Sequence, residues 1–430
     1  MSYIELIAIF LGTLFLFLGS GVWVAISLIA CAIIGMELFT NRPTGDAMTM
    51  TMWASMSSWT LTSLPLFIWM GEILLKTKIS ETLFKGLAPW MARLPGGLLH
   101  TNVVGSAFFA AISGSSAATA ATVGRMSIPE LRKANYPEDM IIGTLAGAST
   151  LGLLIPPSIA LIVYGVTTNQ SISQLFVAGI LPGIMLAIFF MLYIVIKSFF
   201  FKHKEPVVTY TWREKFTSLL SLTPVMGLII SVIGSIYMGL ATPTEAAVLG
   251  VVGSLIIAKW QKTLTRSTFY ESLLGALKTS CMIAFILMGA QFLTLTMGFT
   301  GLPRNLAEMV GALNLTPLLL IVVLTAFYII LGCFLDGLSS IVLTMAVVEP
   351  LVRQAGFDMI WFGIYLVVVI EMAQITPPVG FNLFVLQSMT GKDIGFIAKA
   401  SLPMFLLMIF AVMVLFWQPW IVTFLPNLMR

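Results

Sequence analysis

The sequence predicts an all-α polytopic membrane protein made of two inverted halves. Each half carries a re-entrant hairpin and a broken helix. Three observations predict it. The chain is 59% hydrophobic and 9% charged, with a mean hydropathy of +1.02, too apolar for a soluble domain of 430 residues. Two double-proline breaks, Pro156-Pro157 and Pro377-Pro378, interrupt apolar runs 221 residues apart. Basic residues fall on one side of the topology that these breaks imply.

The elements follow in order. Apolar runs predict helices over 3–19, 22–39 and 63–77. The mixed apolar and charged stretch 80–92 reads as an interfacial helix or as connecting loop. Segments 98–111 and 118–128 are each too short to cross about 30 Å of hydrocarbon, so they read as a re-entrant hairpin with its tip at 113–116. A helix over 139–168 is broken at 155–158, and 174–201 completes the first half. The second half has helices over 218–239 and 245–260, an interfacial stretch at 265–278, and a helix over 279–298. Segments 315–334 and 340–350 form a second hairpin with its tip at 336–340. A helix over 361–388 is broken at 376–380, and the last helix covers 395–424. Tips at membrane depth persist only where protein or a watery cavity satisfies their backbone groups.

Charge tests this topology. With the N-terminus outside and each hairpin returning to its own side, 18 of the 22 basic residues lie inside. Only Arg42, Arg304, Arg353 and Arg430 lie outside, as the positive-inside rule requires. The result is ten crossings and two hairpins with both termini outside. Trp53, Trp59, Trp417 and Trp420 mark the outer interface, and Trp90, Trp212 and Trp260 the inner one.

The halves match at Gly114 and Gly337, Ser116 and Ser339, Pro129 and Pro350, the two Pro-Pro pairs, and Pro182 and Pro403. The offset is 223 at the tips and 221 afterwards. One hairpin enters from inside and the other from outside, which makes the repeat inverted. The first repeat covers 1–201, with scaffold helices in 1–92 and the inner hairpin and broken helix in 98–168. A cytoplasmic linker covers 202–217. The second repeat covers 218–430: scaffold helices in 218–312, outer hairpin and broken helix in 315–388, then 395–424.

Several classes are excluded. The net charge of +4 gives no nucleic-acid signature. Cys31, Cys281 and Cys333 lie in apolar runs without ligand or disulfide spacing, and the two histidines, His100 and His203, are far apart. No transition-metal site or enzyme motif is present, and no organic cofactor is expected. Met1-Ser2-Tyr3-Ile4-Glu5 lacks the basic start of a cleavable signal, so it reads as mature chain.

The breaks carry the chemistry. Proline has no N–H and disfavours helix in the residue before it, so a Pro-Pro pair frees carbonyl oxygens. Oxygens at mid-membrane suit a hard cation such as Na⁺, and broken helices at matched positions mark a transporter's binding site. The expected Na⁺-binding residues are Ser113, Gly114, Ile155, Pro156, Ser158, Asp336, Gly337, Ser339, Thr376, Pro377 and Gly380. Ser115, Ser116, Asp336 and Asn382 are the expected substrate contacts. Asp336 replaces the first tip's Ser113, and a carboxylate that deep implies a partner. That partner is a cation at the break 376–380 or a basic residue. Asn382 stands where the first half has Leu161. Gln374 and Gln387 flank the second break as weaker candidates. Glu245 reads as a helix start and Arg125 as an interfacial anchor rather than an anion ligand.

Ala111-Ile112-Ser113-Gly114-Ser115-Ser116-Ala117, Gly152-Leu153-Leu154-Ile155-Pro156-Pro157-Ser158, Ala241-Thr242-Pro243-Thr244-Glu245-Ala246-Ala247, Phe334-Leu335-Asp336-Gly337, and Thr376-Pro377-Pro378-Val379-Gly380 with Asn382 resemble the large membrane subunit of TRAP transporters. The resemblance runs through essentially the whole chain. Glu371-Met372-Ala373-Gln374-Ile375 resembles the sialic acid branch of that family. The resemblance implies a bacterial inner-membrane importer with an elevator-type scaffold and transport domain. It also implies Na⁺ coupling, a separate four-helix small membrane subunit, and a periplasmic binding protein that delivers a carboxylate substrate. The chain starts directly at the large subunit, so the small subunit is expected as a separate polypeptide. The bilayer is the remaining partner. Two half-sites imply at least two Na⁺.

Overall fold

The computed structural model describes residues 3–77, 79–200, 210–302, 305, 316–333, 335–378 and 380–429. Every regular element among them is helical. Two groups of helices make up the protein.

The first group comes from the parts of the two halves that precede the hairpins. It contains Tyr3–Gly19, Val24–Phe39, Thr44–Met56, Ser63–Leu75 and Ile79–Met91, joined by Trp212–Tyr237, Pro243–Trp260 and Arg266–Thr300 from the second half. Arg266–Thr300 lies along Val24–Phe39, Thr44–Met56 and Ser63–Leu75. Pro243–Trp260 packs on Ser63–Leu75, and Trp212–Tyr237 packs on Ile79–Met91.

The second group contains both hairpins. His100–Ser113 turns into Ser116–Lys133 and packs along it. Pro317–Gly332 leads to Gly337–Gln354, tied by Tyr328 Oη to Thr344 Oγ1 at 2.7 Å. The broken helices are Glu138–Ser149 with Leu151–Leu154 and then Ile159–Thr168, and Met359–Gln374 and then Phe381–Thr390. The first of these bends by 41° at its break. Ile172–Ser198, Ile394–Trp417 and Trp420–Leu428 complete the group.

Burial follows the apolar patterning. In Met359–Gln374 every residue except Ile360 is buried, as expected of a helix apolar on all sides. Ile172–Ser198 instead exposes Ile184, Ile188, Leu192 and Ile196, an apolar stripe at four-residue spacing that fits hydrocarbon. Among the described residues, five helices are singly long and apolar enough to cross a bilayer, and two bent pairs also qualify.

Several elements differ from the sequence reading. The stretch 265–278 is not a separate interfacial segment. It continues into 279–298 as one 35-residue helix, Arg266–Thr300, capped by Thr265 and lacking proline. The linker read at 202–217 ends sooner. Thr211 and Glu214 form a capping box that starts the next helix at Trp212, and 201–209 lie outside the described residues. The helix read at 395–424 divides at Gln418 ahead of Pro419. Thr44–Met56 is helical although exposed and weakly amphipathic, which left no apolar signal to read. The second hairpin arms are each 18 residues, longer than read, because Pro129 and Pro350 sit inside their helices. The end of the scaffold region read to 312, the start of the outer hairpin at 315 and the basic residues Lys202, Lys204, Arg304 and Arg430 of the charge count fall outside the described residues. So do Lys78, His203, Phe334 and Val379.

Candidate functional site

The first tip is a tight reversal. Gly114 has a φ of +57°, a left-handed conformation that disfavours a side chain, and a Cβ there would sit 3.2 Å from the Pro157 carbonyl. Ser113 Oγ meets Thr119 Oγ1 at 2.9 Å and donates to the Ser115 carbonyl at 3.2 Å. Ser115 is extended and accepts from the Ala118 amide at 3.4 Å, capping the second arm. Gly152 of the broken helix lies flush on this tip, since a Cβ there would meet the Ser115 carbonyl oxygen at 2.7 Å. Past the break, Ser158 accepts from the Leu161 amide at 3.3 Å and donates to the Leu153 carbonyl. The tip and break of the first half therefore form one unit.

The second half repeats the arrangement with different chemistry. Asp336 caps Gly337–Gln354, its Oδ2 accepting from the Leu338 and Ser339 amides at 3.2 Å each. Gly337 lies against Ile370 and near the Gln374 amide nitrogen. Cys333 Sγ points at the second break, 3.4 Å from the Pro377 carbonyl and 3.9 Å from that of Thr376. Thr376 Oγ1 donates to the Met372 carbonyl at 2.7 Å, and the Gly380 amide donates to the Thr376 carbonyl at 3.0 Å. A Cβ on Gly380 would sit 2.6 Å from the Thr376 carbonyl oxygen, so this turn admits only glycine. Both Pro-Pro bonds are cis.

The halves interlock beyond these units. Ile159–Thr168, which follows the first break, packs on the second hairpin arm Gly337–Gln354. Phe381–Thr390, which follows the second break, packs on the first hairpin arm Ser116–Lys133. Asp336 is exposed rather than sealed in. With Ser339 it lines a cavity of about 750 Å³ whose other wall includes Trp23, Lys278, Cys281 and Phe285 of the first group of helices. Ile155 and Pro156 instead line an apolar cavity of about 530 Å³ beside Ile229, Ile233 and Tyr237.

Most polar groups at the site are bonded, but a few are not. Ser339 Oγ and both amide atoms of Asn382 are buried without a hydrogen-bond partner, as are both carboxylate oxygens of Glu371. Sequence reasoning passed over Glu371 as a binding group, although a carboxylate inside an apolar 16-residue helix is itself a signal of function. Gly152 and Cys333 were also missed, since only packing reveals them. Lys278, counted among the inside basic residues, lines the cavity wall. Glu245 closes a capping box with Thr242, which is the helix-start reading, and Arg125 is exposed.

These features define a helical-hairpin membrane transport protein. The fold is shared with the Alcanivorax borkumensis YdaH transporter, at a TM-score of 0.65 and 12% identity over 95% of this chain and 99% of that one. The sequence model for "Tripartite ATP-independent periplasmic transporter, DctM component" matches residues 11–421, and the chain belongs to this family. It is a TRAP transporter large permease subunit, not an enzyme. It is 32% identical to the sialic acid TRAP transporter permease protein SiaT of Haemophilus influenzae, over 87% of this chain and 61% of that protein. It is also 32% identical to the C4-dicarboxylate TRAP transporter large permease protein DctM of Pseudomonas aeruginosa, over 86% of each. The sialic acid large permease SiaM of Vibrio cholerae is 29% identical over 91% of this chain and 92% of its own length.

Proposed function

We propose that this subunit imports sialic acid (N-acetylneuraminate) by Na⁺-coupled secondary active transport. The observation that carries the reading is the seating of each hairpin tip on its own Pro-Pro break, with Asp336 and Ser339 facing the large cavity. Ser113, Gly114, Ile155, Pro156 and Ser158 bind one Na⁺, and Asp336, Gly337, Ser339, Thr376, Pro377 and Gly380 a second. Ser115, Ser116, Asp336 and Asn382 contact the substrate. Among the described residues no three His, Cys, Asp or Glu side chains converge, which favours a site built mainly from neutral oxygens and suits Na⁺.

The repeats, 1–201 and 218–430 about the linker, are inverted, and the hairpin group slides against the scaffold as an elevator. The protein lies in the bacterial inner membrane with both termini periplasmic. A small four-helix subunit and a periplasmic binding protein complete the system. At least two Na⁺ accompany each anion, because a net positive charge gains about 2.3 kcal/mol per 100 mV.

Sialic acid is favoured by the similarity to SiaT and SiaM, and by the residues Glu371–Ile375. The equal identity to a C4-dicarboxylate permease supports a dicarboxylate as the second reading. Proteoliposomes containing this chain, its small subunit and the cognate binding protein would be offered N-acetylneuraminate and succinate under a Na⁺ gradient. Saturable, Na⁺-dependent uptake of N-acetylneuraminate is expected. Uptake of succinate alone establishes the second reading, and uptake indifferent to Na⁺ refutes the coupling.

A further inference from the structure

Ile172–Ser198 and Ile394–Trp417 pack against each other in opposite directions. Phe189 and Phe410 meet with ring centroids 5.3 Å apart, while Lys197, near the end of one helix, and Lys399, near the start of the other, line one cavity. That cavity is about 310 Å³, and Asp139 and Gly143 of Glu138–Ser149 bound its third side. Its floor is a backbone contact, since a Cβ on Gly143 would run into the Ala400 carbonyl.

The cavity is rimmed by cations. Lys197 and Lys399 are exposed, and among the described residues no ion pair reaches either. A third ammonium, that of Lys392, stands 5.8 Å over the ring of Phe396, which also lines the cavity. Asp139 offsets one of these charges, and Tyr193 adds a hydroxyl. The neighbouring acids are engaged elsewhere: Glu138 with Arg132, and Asp393 with the Gly395 amide. Converging ammonium groups without a partner concentrate positive potential and attract an anion.

Away from the cavity both helices expose apolar rows. Ile184, Ile188, Leu192 and Ile196 form one, and Leu402, Leu406, Phe410 and Met413 the other. Ile184 lies 13 residues before Lys197, and Met413 14 residues after Lys399. Each row therefore runs about 20 Å from its lysine. One leaflet has that depth, half of a bilayer of about 40–45 Å with its headgroups. We propose that this groove is a binding site for an anionic glycerophospholipid. Lys197 and Lys399 hold the phosphate, Tyr193 and Asp139 face the headgroup hydroxyls, and the acyl chains lie along the two rows. A soluble anion would use the lysines and leave the rows bare. A partner helix would have no need of a cationic cavity confined to one end. Because Glu138–Ser149 supplies the third side, the lipid also fastens the start of the first broken helix to Ile394–Trp417 of the other half. The inference depends neither on the substrate nor on Na⁺ coupling.

The test is a binding measurement that does not need transport. The chain, purified with its small subunit in neutral detergent, is titrated with phosphatidylglycerol in mixed micelles. Phosphatidylethanolamine and glycerol phosphate are titrated in parallel. Thermal unfolding followed by tryptophan fluorescence is the readout. Phosphatidylglycerol should stabilise saturably, and the other two much less. Lys197→Gln and Lys399→Gln should each raise the half-saturating mole fraction about fivefold, and the double variant about 30-fold. That is the loss of about 1 kcal/mol per lysine at an anionic lipid. Lys259→Gln, an exposed lysine at the end of Pro243–Trp260, should leave it unchanged. Equal protection by phosphatidylethanolamine overturns the charge requirement and the proposal with it. Equal protection by glycerol phosphate makes this a soluble-anion site and also overturns it. So does a Lys259→Gln shift as large as the others, which would mean diffuse attraction. An unfolding curve indifferent to phosphatidylglycerol refutes the site, and an amine crosslink from Lys399 to the small subunit would name that chain as the occupant instead.

Discussion

Tyr164 Oη donates to the Met359 carbonyl at 2.6 Å, which fastens the end of the first broken helix to the start of the second. The Tyr164 ring also fills the space over Gly363. Both residues are buried, so the bond is made where water cannot replace it.

Tyr164→Phe should therefore lower stability by about 1 kcal/mol, the net worth of a buried hydrogen bond. Leucine at position 363 should cost more, because its side chain collides with the Tyr164 ring. Thermal unfolding of the detergent-solubilised protein reads both effects. A Tyr164→Phe protein as stable as wild type would show that the bond does not fasten the two helices.

Asp336→Asn should separate capping from charge. Asparagine caps helices about as well as aspartate, so insertion and stability should stay close to wild type. Na⁺-dependent uptake should be lost or fall severely, since the second site loses its carboxylate. Asp336→Ala should lose uptake and, in addition, about 1 kcal/mol of stability. Normal uptake in the asparagine variant would remove Asp336 from the ion path.

Gly152→Ala should displace the first tip, because its Cβ would lie 2.7 Å from the Ser115 carbonyl oxygen and 2.8 Å from the Ser116 Cα. These are backbone atoms that cannot rotate away, so a cost of about 1–3 kcal/mol is expected along with impaired uptake. Gly12→Ala is the control: nothing lies within 4 Å, and the helix should be unchanged or slightly more stable. Melting curves of the two variants make the comparison.

Lys278→Gln should raise the KM for an anionic substrate about two- to fivefold, as expected for one partly screened charge in the cavity wall. The effect should shrink at high ionic strength. Initial uptake rates at two salt concentrations measure it, and a KM insensitive to both mutation and salt would place the substrate elsewhere.

Much of this arrangement was legible in the sequence. The Pro-Pro pairs and the small tips at 113–116 and 336–340 stand out because proline and glycine leave marks that no tertiary contact can erase. Their pairing, each tip with its own break, follows from the repeat. Helix ends were less legible where a local cap set them. Trp212 begins its helix because Thr211 and Glu214 bond reciprocally, and Pro129 and Pro350 are carried inside helices. Glu371 and Lys278 were visible as charges, but only the folded chain tells which is sealed and which faces a cavity. Nothing in the local sequence marks Gly152 as the seat of a tip 36 residues earlier.

The exchange of helices between the halves has a practical consequence. Ile159–Thr168 covers the hairpin of the second half, and Phe381–Thr390 covers that of the first. A gene cut between Ser198 and Trp212 would yield two fragments, each with a bare hairpin flank and an orphaned short helix. Neither fragment should mature alone, yet the pair co-expressed should clasp into a working whole, because each carries the missing cover of its sibling. The two halves are obligate companions, each finished only by the other's short helix.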